Sequence, residues 1–135
     1  MSDAFHKLTL ETHKLKWEDD LPFSLDSNDI FFQDDALDEI EHVFLEPNLI
    51  LNRILEDTNL VIGEIGFGFG LNFLSTCKSW VKNSNNGLLT FFSIDHKVPT
   101  KTEIKRLFKK FEILRDLEDE FFESFDPIQI GRAHV

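Results

Sequence analysis

Glu64, Gly66, Gly68 and Gly70 follow the apolar run Leu60-Val61-Ile62, and Asp95 closes a second apolar run, Leu88 to Ile94. An acid two residues ahead of alternating glycines is a ligand-binding pattern. Glycine reaches left-handed dihedrals and leaves room where a Cβ would stand. Glycines also cost roughly 0.5–1 kcal/mol each relative to alanine in ordered structure, so a turn that binds nothing is the weaker reading. The spacing is Gly-x-Gly-x-Gly, with Leu71 where a dinucleotide fingerprint would place its next structural position. That fingerprint needs Gly-x-Gly-x-x-Gly and an acid about twenty residues later. A carboxylate directly before the loop would also repel a pyrophosphate, whose binding relies on helix-terminal N–H groups. Glu64 suits a cationic ligand.

S-adenosylmethionine carries a sulfonium and an ammonium group, and Glu64-x-Gly66-x-Gly68-x-Gly70 resembles the first motif of the Rossmann-like methyltransferases. Asp95 has a matching role open to it. Parallel sheets bind ligands beyond the carboxyl ends of their strands, and a carboxylate there can accept both hydroxyls of a ribose. The alternative is an acid that caps the turn before Pro99.

The rest of the composition narrows the classes. With 135 residues, 41% of them hydrophobic and fifteen Phe, there is material for one modest core. Neither a charged-then-apolar leader nor an apolar run of spanning length occurs, so no membrane is expected as partner and a cytoplasmic location follows by default. Cys77 is expected to be a small buried thiol without chemistry. His6, His13, His42, His96 and His134 are scattered without zinc spacing, so no metal is expected. A net charge of −11 argues against a general nucleic-acid surface. Acids gather at Glu18-Asp19-Asp20, from Asp34 to Glu41 and at Glu118-Asp119-Glu120, as solvated faces and helix starts. Bases gather once, as Lys97, Lys101, Lys105, Arg106, Lys109 and Lys110, opposite Ile104, Leu107, Phe108, Phe111 and Leu114. A solvated outer helix face is the favoured reading of this stripe, and a polyanion contact the alternative.

The elements that must position Glu64 and Asp95 are legible as an α/β pattern. Residues 1–33 read as an irregular or extended arm anchored by Trp17, Phe23 and Ile30 to Phe32. A helix is expected from Asp35 to Leu45, ended by Pro47, and a second from Asn48 to Leu55. After a turn at Asp57-Thr58-Asn59 come a strand from Leu60 to Ile65, a helix running from the glycine loop through Trp80, and a strand from Leu88 to Ile94. This is a β-α-β unit. Thr100 to Glu103 matches a capping box for the basic helix, expected to run to Leu117.

The segments Pro22-Phe23-Ser24, Asp29-Ile30-Phe31-Phe32, Ala36 to Glu39, His42 to Leu45, Asn48-Leu49, Glu64 to Leu74 and Phe92 to Asp95, followed by Lys97 and Pro99-Thr100, occur in one order. Together they resemble the methyltransferase domain of the bacterial bifunctional tRNA 5-methylaminomethyl-2-thiouridine biosynthesis proteins, from about Trp17 to Leu117. The resemblance implies the N-terminal part of a Rossmann-like S-adenosylmethionine-dependent methyltransferase fold with an incomplete sheet. The implied domains are an arm at 1–33 and a partial methyltransferase domain at 34–129. It further implies methylation of the amine of 5-aminomethyl-2-thiouridine at the tRNA wobble position, with tRNA as partner and FAD confined to a further domain of the parent. Carried over by position, Glu64, Gly66, Phe67, Gly68 and Gly70 line the cofactor path, Asn72 sits at the helix start beside it, and Asp95 takes the ribose. Phe69 stands where the family has a small residue or Thr, Phe31 where it has Tyr, and His96 is an insertion. The first departure would crowd the pocket. The last leaves the ribose acid open by one position.

The family's catalytic acids belong to a later region that nothing in this chain matches, so no catalytic residue is assigned and this piece is expected to be inactive. Ile130-Gly131-Arg132-Ala133-His134-Val135 resembles a translated sequencing-library adapter, and 130–135 is expected to be a foreign tail on a C-terminally truncated fragment. Two other classes stay open: a small-molecule methyltransferase of the same fold, and a non-catalytic S-adenosylmethionine-binding or interaction module.

Overall fold

The computed structural model describes residues 11–56, 59–83 and 87–125. The expected tail 130–135, His6, His134 and the Asp57-Thr58 part of the first turn lie outside them.

The arm is more regular than its turn formers suggest. Glu11–Thr12 (β1), Leu15–Glu18 (β2), Leu21–Ser24 (β3) and Asp29–Ile30 (β4) are extended, and β2, β3 and β4 form an antiparallel meander. Asp19 and Asp20 join β2 to β3 with φ of 50° and 60°. Two successive positive φ values give the hairpin turn whose twist matches its flanking strands. The arm read as irregular or extended is thus extended, and Asp-Asp, lacking the glycine that ordinarily signals such a turn, left its hairpin unmarked.

Ala36–Ile40 (α1) begins the first expected helix, with Asp38 and Glu39 in its first turn. It then widens into a π-helical turn over Glu41–Leu45, where the Glu46 N–H donates to the Glu41 carbonyl at 2.9 Å. Ile50–Glu56 (α2) starts later than the expected Asn48, because Leu49 has a φ of 53° that no helix continues through.

The β-α-β unit forms as read. Asn59–Ile65 (β5), Leu71–Asn83 (α3) and Leu88–Ile94 (β6) follow one another, with β5 and β6 paired in parallel from Asn59↔Leu88 to Ile65↔Ile94. Lys97–Val98 (β7) pairs in parallel with β1, which ties the arm to the chain just past Asp95. Thr100 then caps Lys101–Lys110 (α4). The Glu103 N–H donates to Thr100 Oγ1 at 3.2 Å and the Thr100 N–H to Glu103 Oε2 at 2.9 Å, the reciprocal box expected.

Two expectations about the basic helix are corrected. Lys97 belongs to β7, not to the helix. The helix ends at Lys110 rather than Leu117, because Phe111 leaves helical dihedrals (φ −101°, ψ 83°) as its ring enters the core. A 3₁₀ segment at Glu112–Leu117 follows, then Glu118–Ser124 (α5), whose first turn holds Glu118, Asp119 and Glu120. That acidic cluster is a helix start.

One core cluster joins α3, α4 and α5 to the arm through Phe32, Phe69, Leu74, Ile104, Leu107, Phe108, Leu114 and Phe121. A second lies between α2 and the inner face of β5, around Ile50, Ile54, Leu60 and Ile62. Among the described residues β5 and β6 form a sheet of two strands, the incomplete sheet the fold class implies. Its inner face buries Leu60, Ile62 and Glu64, while Val61, Ile65, Leu88, Phe92 and Ile94 are exposed on the other. Among the described residues no helix is long and apolar enough to cross a membrane.

Candidate functional site

The parallel register sets Glu64 opposite Ser93. Glu64 is buried, and both its carboxylate oxygens are engaged: Ser93 Oγ donates to Oε1 at 2.6 Å and Asn72 Nδ2 to Oε2 at 3.0 Å. Asn72 reaches it from the first turn of α3, one step past the glycines. Both donors are neutral, and among the described residues Glu64 has no ion-pair partner. A buried carboxylate without a counter-cation is electrostatically unfinished. A cation beside it would complete the arrangement.

Past Glu64 the chain turns over Gly66, Gly68 and Gly70, all left-handed, with φ of 89°, 58° and 79°. At Gly68 a Cβ would meet nothing within 4 Å, so the loop presents bare backbone to open space there. At Gly70 a Cβ would stand 2.6 Å from the Phe67 ring, so even alanine is excluded on two counts. The intervening side chains point elsewhere. Phe67 stacks on Phe125 with ring centroids 6.4 Å apart, and Phe69 is 3% exposed among arm aromatics. The bulk at position 69, expected to crowd the pocket, is thus taken up by the core.

Asp95 lies just beyond β6, and its carboxylate is bound to backbone on both sides. Oδ2 accepts from the Phe67 N–H at 2.9 Å and the Gly68 N–H at 3.3 Å, while Oδ1 accepts from the His96 N–H at 2.8 Å and the Lys97 N–H at 3.4 Å. Burial raises its pKa, but these four amides outweigh it and hold the carboxyl below its usual range. Asp95 is therefore both the turn cap weighed in the sequence and a brace for the glycine loop. His96, the inserted residue, is exposed, with Nδ1 3.3 Å from Asp95.

A groove of about 590 Å³ runs along β5 and includes Glu64 and Asn72, but neither the glycines past Ile65 nor Asp95. Asn48 and Arg53 also line it, and neither was singled out as a site residue. Arg53 has no motif around it within its own helix, whereas Asn48 belongs to the segment Asn48-Leu49 that carries part of the family resemblance. The His13 ring is edge-on to Phe31 at 4.7 Å, and its Nε2 is buried without a hydrogen-bond partner among the described residues. Burial lowers its pKa, opposed by Asp95 and Glu103 and reinforced by Lys97 and His96.

Cys77 is half-buried, and burial pushes its thiol up to about 12, with a contribution from Glu120, which disfavours the thiolate. Among the described residues no group of three or more His, Cys, Asp or Glu gathers to hold a metal. The basic stripe is the solvated outer face expected of the helix, with Lys101, Lys105, Arg106 and Lys109 exposed, and part of it is engaged in ion pairs. Lys97 pairs with Asp26 at 2.7 Å, Arg106 with Asp20 at 3.3 Å and Lys110 with Asp34 at 2.6 Å. Lys97 and Arg106 hold the arm, and Lys110 holds Asp34 just past it.

No family model matches the chain. Among curated proteins, the tRNA 5-methylaminomethyl-2-thiouridine biosynthesis bifunctional protein MnmC of Marinobacter nauticus is 30% identical over 130 residues, covering 90% of this chain and 21% of its own. The protein of that name from Legionella pneumophila is 30% identical over 131 residues, 92% of this chain and 20% of its own. That of Leptospira borgpetersenii is 33% identical over 123 residues, 87% and 19%. The chain is homologous to one segment of these bifunctional proteins. It spans about a fifth of the length of the relatives it matches.

Two outcomes follow from this geometry. Asp95→Asn puts an NH₂ group against backbone N–H donors and should lower stability by about 1–2 kcal/mol in urea unfolding, after allowance for partial exposure; unchanged stability would contradict the brace. For His13, the folded pKa lies below the unfolded 6.5, so the unfolded chain takes up the proton first and stability falls as pH drops below 6.5. His13→Phe should flatten that fall in pH-dependent melting, and a slope equal to wild type would assign it to other groups.

Proposed function

We propose that this chain is the cofactor-binding part of an S-adenosylmethionine-dependent methyltransferase that modifies the tRNA wobble uridine in the cytoplasm. The observation that carries the reading is Glu64, a buried carboxylate with no cationic partner among the described residues, at the mouth of a loop whose Gly68 faces open space. The homology to bifunctional proteins of tRNA 5-methylaminomethyl-2-thiouridine biosynthesis supports tRNA as substrate over a small molecule. FAD would belong to another part of such a parent, and the arm at 1–33 would serve the domain that starts at 34.

The residues present fit the ligand. When bound, S-adenosylmethionine supplies an electrophilic methyl group to an amine lone pair. Glu64 would balance the ligand's positive charge, kept in place by Ser93 and Asn72. The backbone of Gly66, Phe67 and Gly68 would lie against it, open at both glycines, while Gly70, covered by the Phe67 ring, would shape the turn that presents them. Asp95 would reach the ribose only by sharing or exchanging the amides it already accepts, and its depressed pKa keeps it ionised to do so. The reaction is a displacement whose main demand is alignment of nucleophile and methyl, with removal of the amine proton. No side chain described here is assigned that proton.

Calorimetric titration of the purified chain tests the reading. S-adenosylmethionine should bind, and Glu64→Gln should weaken it about tenfold while leaving the affinity for neutral adenosine unchanged, since the variant keeps shape and loses charge. Equal losses for both ligands, or no binding of either to wild type, would overturn it. Incubation with undermodified tRNA should give no methylation by this chain alone. Turnover on non-RNA amines, insensitive to salt, would instead favour the small-molecule reading.

A further inference from the structure

We infer that the N-terminal arm is a working part of the ligand site, with Phe69 the positioning residue through which it sets the glycine loop. The inference rests on the ligand reading above but adds a second body to the site. The sequence Gly66-Phe67-Gly68-Phe69-Gly70 alternates bare backbone with anchors. Phe67 is anchored on α5 through Phe125. Phe69 is anchored on the arm, with ring centroids 5.9 Å from Trp17, 5.1 Å from Phe31, 5.7 Å from Phe32 and 6.4 Å from His13. A ring enclosed this way fixes the backbone that carries it, because close-packed aromatics have few alternative rotamers.

The arm is itself fastened to α4 and β7. The Arg106 guanidinium lies 3.9 Å from the Trp17 ring centre and donates to Asp20 at 3.3 Å. Lys97 bonds Asp26 at 2.7 Å, and β1 pairs with β7 next to Asp95, whose carboxylate accepts the Phe67 and Gly68 N–H groups. The arm therefore grips the loop twice, through Phe69 and through the strand that follows Asp95. Loosening either grip frees the two amides that keep the loop in its left-handed path.

The experiment compares wild type with Trp17→Ala, Phe69→Ala, the double variant and Phe69→Leu, at a temperature where circular dichroism shows each folded. Two readouts are taken: affinity for S-adenosylhomocysteine by calorimetry, and amide exchange at Phe67 and Gly68. Each alanine variant should weaken binding about five- to tenfold and speed exchange at those two amides. The double variant should be little worse than Phe69→Ala alone, since that change already removes the Trp17 contact, and Phe69→Leu should recover most of the loss. Affinity within about twofold of wild type and unchanged loop exchange, with only the melting temperature lowered, would overturn the inference. Wild type that binds no S-adenosylhomocysteine, with loop exchange still responding to the arm, would sink the ligand reading and leave the arm's role standing. Should the alanine variants not fold, Arg106→Lys removes the planar stack on Trp17 while keeping the charge. Faster loop exchange in that variant supports the inference, and unchanged exchange refutes it.

Discussion

The parallel ladder between β5 and β6 decides where every group of the site stands. Its register from Asn59↔Leu88 to Ile65↔Ile94 brings Ser93 to Glu64 and delivers Asp95 beside the turn that leaves β5. A slip of one residue would send Glu64 to the exposed face and the apolar Val61 and Ile65 inward, reversing burial along the whole strand. It would also take Asp95 from the Phe67 and Gly68 amides, and the glycine loop would lose its carboxylate. Burial of Leu60 and Ile62 against α2 holds the register, so the packing beneath the sheet is what keeps the polar groups at its end in order.

Charge works locally here, whatever the net value of −11 suggests. Acids at the start of α5 sit where a helix favours them, and those of the arm, together with Asp34 just past it, meet the bases of β7 and α4. Such exposed pairs contribute little each, but several acting on one arm orient it over the aromatic cluster. Glu64 is the exception, satisfied by neutral donors alone among the described residues. That contrast between paired surface acids and a buried one without a cation is what the proposed ligand role of Glu64 rests on.

Much of the frame was legible because it rests on local rules. Apolar runs of strand length, a glycine loop, helical spacing after it and a Thr-x-x-Glu box each write their geometry into a few adjacent residues, and β5, α3, β6 and the start of α4 stand where those rules put them. The parts that were missed depend on distant partners or on uncommon backbone. The Asp19-Asp20 hairpin uses left-handed dihedrals without the glycine that usually marks such a turn, and the π-helical turn at Glu41–Leu45 has no sequence mark. Phe111 ends α4 because of the core it meets. The basic stripe looked free because Asp20, Asp26 and Asp34 are far away along the chain. At the site, Glu64, Asn72 and Asp95 could be named, but not their mutual bonds. The double engagement of Asp95 and the downward path of Phe69 follow from three-dimensional packing alone.

The central claim is that the space over the glycine loop, between Glu64 and Asp95, receives a cationic adenosyl ligand. Titrating the isotope-labelled chain with S-adenosylmethionine and following backbone amide shifts by nuclear magnetic resonance would test it most directly. The account predicts saturable shifts concentrated from Glu64 to Asn72 and from Asp95 to Lys97, including the Phe67 and Gly68 amides as Asp95 adjusts. Shifts confined to the groove along β5 and α2, around Asn48 and Arg53, with the loop unmoved, would contradict it.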